Sequence, residues 1–92
     1  MRMSDARVRL ANSRVELLAT EIATVVGTDS ETGNPDPHGQ DLADQAIDIL
    51  YQKTIALRNR RGIEPEVFGP IDRWLRSFNV FEFMKENNLQ YF

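Results

Sequence analysis

The sequence predicts an all-α protein, an antiparallel two-helix hairpin closed by one or two short, aromatic-rich C-terminal helices. Three observations lead there. Apolar residues recur at steps of three and four along two long segments, about 4–26 and 41–61. The stretch between them, 27–40, holds three glycines, two prolines and no large apolar side chain. Seven of the eight aromatic residues then fall in the last third of the chain.

In the first segment Val8, Ala11, Val15, Leu18, Ile22 and Val25 lie on one face at roughly 100° per residue. Ser4 or Asp5 suits the N-cap, and Gly27 stands where a helix commonly ends. The next residues, 27–40, read as an acidic Gly/Pro loop, because Pro35 and Pro37 bias Asn34 and Asp36 away from helix.

The second segment, about 41–61, carries Ala43, Ile47, Leu50, Thr54 and Leu57 on one stripe. Leu42, Ala46, Ile49 and Ala56 lie beside them. A helix apolar over more than half its circumference is packed on more than one side, so the expectation places it centrally. Asp41 and Asp44 near its start and Arg58, Arg60 and Arg61 near its end match the helix dipole.

Beyond it, Pro65 suits a first helical position, while Gly69-Pro70 predicts an interruption. Ile71, Trp74, Leu75 and Phe78 form one apolar face of a short helix within 65–78. Asn79 with Glu82 three residues on reads as a capping pair that starts another helix over 80–86. Asn87-Asn88 should end it, leaving 87–92 as an apolar tail with Leu89, Tyr91 and Phe92.

Ninety-two residues, 41% of them hydrophobic, are expected to make one small domain, 1–92. No apolar run is long enough to span a membrane, and no signal-peptide pattern opens the chain. With no cysteine, the expected setting is cytoplasmic.

Charge is unevenly distributed. No lysine or arginine stands between Arg14 and Lys53, an interval that holds eight acids. Arg2, Arg7, Arg9 and Arg14 precede it, and Lys53, Arg58, Arg60 and Arg61 follow. Antiparallel helices would gather both basic clusters at one pole, roughly 25–30 Å from the acidic loop at 1.5 Å per residue. Helix dipoles account for the arginines ending the second helix. They do not account for Arg7 and Arg9 in the first turns of the first, where positive charge is mildly unfavourable.

Catalytic patterns are weak. His38 is the one histidine and sits in Pro37-His38-Gly39, so neither a metal set nor a triad is expected. A calcium loop counted from Asp29 would need glycine sixth and an acid twelfth, but Asn34 and Gln40 stand there. Asp41, Asp44 and Asp48 share a helical face that should be wet, and Ser13, Ser30 and Ser77 lack nucleophile-elbow glycines. A helix-turn-helix over 65–88 would present Glu82 and Glu86 to phosphate, a poor fit.

The expectation is therefore a non-enzymatic interaction module without cofactor or metal. It would dock on a larger protein or self-associate, as an accessory or assembly subunit or a small protein inhibitor. The partner-binding residues are expected to be Arg7, Arg9, Leu10, Arg14 and Leu17 on the first helix, Arg58, Arg60 and Arg61 after the second, and Tyr91 and Phe92. Leu10 and Leu17 enter because they lie roughly 120° from the centre of the first helix's apolar face. A nucleic-acid-linked regulator using the arginine pole is the less favoured alternative, and no membrane role is expected.

Overall fold

A computed structural model describes residues 3–89. Five α-helices follow in order: α1 Met3–Gly27, α2 Pro37–Lys53, α3 Ile55–Arg58, α4 Pro65–Arg76 and α5 Val80–Glu86, with a 3₁₀ turn at Arg61–Ile63 before α4. The architecture is the expected hairpin with short aromatic-bearing helices after it. No strand is present among the described residues; Thr28 and Pro35 make a single antiparallel bridge at the hairpin tip.

Helix α1 buries Ala11, Val15, Ala19, Ile22 and Val26. Val25, expected on this face, is exposed, and Val26 takes its place. At 3.6 residues per turn a stripe followed over five turns drifts by about one position. The Asp36 N–H then donates to the Gly27 carbonyl at 2.9 Å, which turns the chain back along α1.

The second helix begins at Pro37, four residues before the expected start at 41. Pro37 occupies the first turn, where its missing N–H would have no helical partner anyway. The expected continuous helix to 61 is also corrected, because α2 ends at Lys53. The buried Thr54 hydroxyl donates back to the Leu50 carbonyl at 2.9 Å, a bond that bends helices. The chain continues as α3, which buries Leu57. Arg60 follows with φ 64°, a left-handed residue that ends the helical run and leads into the 3₁₀ turn.

Helix α1, rather than α2, is the central element. It packs against α2, α3, the 3₁₀ turn and α4. The outer face of α2 stays exposed at Asp41, Asp44, Gln45, Asp48 and Gln52. Leu42, Ala43, Ala46 and Leu50 form its buried stripe, while Ile47 and Ile49 are only half-buried at its margins.

The expected interruption at Gly69-Pro70 does not occur, and α4 runs through both residues. Proline forgoes one helical hydrogen bond, its ring crowds the carbonyl one turn back, and its Cδ crowds the N–H and β-carbon of the residue before it. Glycine at 69 has no β-carbon, so the last of these contacts is absent and the cost is reduced.

Asn79 caps α5 as expected: its Oδ1 accepts from the Glu82 N–H at 3.0 Å. At the other end Asn88 is left-handed with φ 58°. The Leu89 N–H donates to the Met84 carbonyl at 2.8 Å and the Asn88 N–H to the Lys85 carbonyl at 3.1 Å, a Schellman closure. Leu89 is buried with the core, so the apolar tail expected over 87–92 is corrected at this residue. The rings of Trp74, Phe78 and Phe83 lie 5.0 to 5.9 Å apart by centroid, and together they anchor α5 against α4.

Candidate functional site: the groove between α1 and α4

Helices α1 and α4 diverge to leave an open groove of about 500 Å³. One wall is the flank of α1 carrying Arg7, Leu10, Arg14 and Leu17, spaced by three, four and three, which sets them in one row. The other wall is Phe68, Asp72 and Arg76, one helical turn apart along α4. A second hollow continues past Arg7 and Phe68 to Ile63, Pro65 and Gly69, lengthening the groove toward the 3₁₀ turn.

Leu10 and Leu17 are 72% and 71% exposed, the two most exposed large aliphatic side chains among the described residues. An exposed leucine alone means little, but two on one row beside a half-buried phenylalanine form an apolar strip. Arginines interrupt and rim this strip. Arg76 pairs with Asp72, Nε to Oδ2 at 3.1 Å. Arg7 and Arg14 have no ion-pair partner among the described residues, and the groove lining carries three arginines against one acid. Ala11 and Ser13 complete the lining. What the arrangement can do is bury apolar surface and meet negative charge.

The other sequence-predicted residues divide around the molecule. Arg9 is exposed and does not line the groove. Arg58 lies on the opposite flank of α1, lining a shallow cleft with Asn12, Val15, Glu16 and Tyr51. Its guanidinium stands 4.3 Å from the Tyr51 ring centroid, a cation–π contact. Arg60 and Arg61 are exposed in the turn after α3. The arginines thus share one end of the hairpin but not one face. Tyr91 and Phe92 lie outside the described residues.

The α4 wall is what the sequence reading missed. Phe68, Asp72 and Arg76 recur every fourth residue, a signal present in the sequence. Assigning a helix break at Gly69-Pro70 placed Phe68 and Asp72 on different elements and hid the row.

The acids are held differently. Asp29 Oδ1 accepts from the Glu31 N–H at 2.8 Å, so it shapes the tip loop. Asp41 and Asp48 accept from the amides of Gln45 and Gln52, at 3.4 and 2.9 Å. Among the described residues no three His, Cys, Asp or Glu side chains come together as a metal site. Among these residues no helix is long and apolar enough to cross a membrane.

Among the described residues, fold and groove together make an all-α arrangement with a rimmed apolar surface. No protein-family model, curated protein or solved structure matches this chain.

Proposed function

We propose that this chain is a non-enzymatic interaction module that docks on a protein surface through the groove between α1 and α4. The observation that carries the reading is the row Arg7, Leu10, Arg14, Leu17, with both leucines about 70% exposed opposite Phe68. Arginines and aromatic rings are enriched at protein interfaces, and apolar side chains fill the buried centre of the patch. An amphipathic helix laid in such a groove would cover the leucines and place its acids against the arginines.

The arginine pole as a nucleic-acid site draws less support. A phosphate-tracking surface needs its cations on one face, and here Arg7 and Arg14 stand on a different flank from Arg58.

The test is capture from the native lysate, nuclease-treated, with wild type and the Leu10→Asp/Leu17→Asp double variant side by side. The reading requires a stoichiometric protein that wild type retains and the folded variant loses. An identical set of captured proteins for both, or a set that vanishes with nuclease, refutes it.

A further inference from the structure

Two faces of this molecule complement each other, and they lie on different sides of it. The groove face carries Leu10 and Leu17 with Arg7 and Arg14, cations that have no ion-pair partner among the described residues. The outer face of α2 carries Asp41, Asp44 and Asp48, all exposed. Asp41 and Asp48 are met only by neutral glutamine amides, so their charge is also uncompensated.

The registers agree. Arg7 and Arg14 are seven residues apart on one helix, and Asp41 and Asp48 are seven apart on another. Each pair therefore spans about 10 Å along its axis. Apolar surface accompanies both sets: Leu10 and Leu17 beside the arginines, and half-buried Ile47 beside the aspartates.

The two faces do not overlap. The cleft holding Tyr51 and Arg58 shows that α2 and α3 lie toward the Asn12–Glu16 flank of α1, whereas the groove opens on the Leu10–Leu17 flank. One copy can therefore present both faces at once.

We infer that the occupant of the groove is a second copy of this chain, docked by the outer, acidic face of its α2. The inference rests on the docking reading above and names its partner. Each contact leaves one groove and one acidic face free, so the association is head-to-tail rather than twofold, and it continues beyond the dimer. Its charge pairs are exposed at the rim, so salt weakens it.

Sedimentation of the full chain, from micromolar to near-millimolar concentration at low and high salt, tests this with two variants. Arg14→Gln/Leu17→Gln disables the groove, and Asp41→Asn/Asp48→Asn disables the acidic face. Both change exposed positions, and circular dichroism checks that each remains folded. Wild type should grow past the dimer mass with concentration at low salt and return toward monomer at high salt. Each variant alone should stay monomeric. Their equimolar mixture should form a 1:1 dimer and stop there, because the intact groove of one meets the intact acidic face of the other.

A wild type that is monomeric at every concentration overturns the inference, as does a dimer that never grows or a mixture that stays monomeric. Should the lysate experiment still show a protein lost with Leu10 and Leu17 while the pure chain is monomeric, the second copy is eliminated and the docking reading stands. Loss of both results removes the groove itself as an interface.

Discussion

Gly62 packs against Leu57 with no room for a side chain. A β-carbon at 62 would stand 2.9 Å from the Leu57 Cα and 2.5 Å from its Cδ2. Leu57 is itself only 2% exposed, so it has little space to yield. This contact sets how closely the 3₁₀ turn folds back on α3, and hence where α4 begins. Gly62→Ala should therefore destabilise the protein by about 1–3 kcal/mol through overpacking. Urea denaturation measures it, and an unchanged midpoint would show that the turn relaxes freely.

The cap on α5 is a single side-chain bond, from the Glu82 N–H to Asn79 Oδ1. Removing it leaves that N–H without its acceptor at the end of a seven-residue helix. Asn79→Ala is expected to cost about 1 kcal/mol. Asn79→Asp should retain most of the stability, since it keeps the acceptor. Equal melting temperatures for wild type and Asn79→Ala would contradict the cap's contribution.

Leu89 belongs to the core, with 9% of its surface exposed, and its N–H closes α5 on Met84. Leu89→Ala should lower stability by roughly 2 kcal/mol, at the modest end for a leucine truncated near the chain's end. Deleting 89–92 should cost at least as much. The sequence placed Leu89 in an apolar tail, whereas its burial makes this deletion a loss to the core. Thermal melts of the two variants decide the matter.

Leu17 has the opposite character. With 71% of its surface already in water, Leu17→Asp removes almost nothing from the interior and should change unfolding free energy by less than about 0.5 kcal/mol. A large destabilisation would mean that Leu17 packs within its own chain, leaving less of the groove available to a partner.

Periodicity carried most of the fold because it depends on local geometry alone. Steps of three and four put Ala11, Val15 and Ile22 on one face whatever they pack against, and each is buried. The cap at Asn79 was legible for the same reason: donor and acceptor are three residues apart. The outward position of Leu10 and Leu17 could also be read, since a helix's outer flank follows from its inner one.

What the sequence could not decide was where a helix breaks, where one runs on, and which flank meets which neighbour. The break at Thr54 depends on a buried hydroxyl turning to the Leu50 carbonyl, and burial is a property of the packed chain. The passage of α4 through Gly69-Pro70 depends on packing that outweighs the lost hydrogen bond. That passage brings Phe68, Asp72 and Arg76 into one row opposite Arg14. The helical step determined each wall of the groove separately. Only the tertiary packing of α4 on α1 set them face to face, because contacts between residues more than fifty positions apart follow from how elements fill space together.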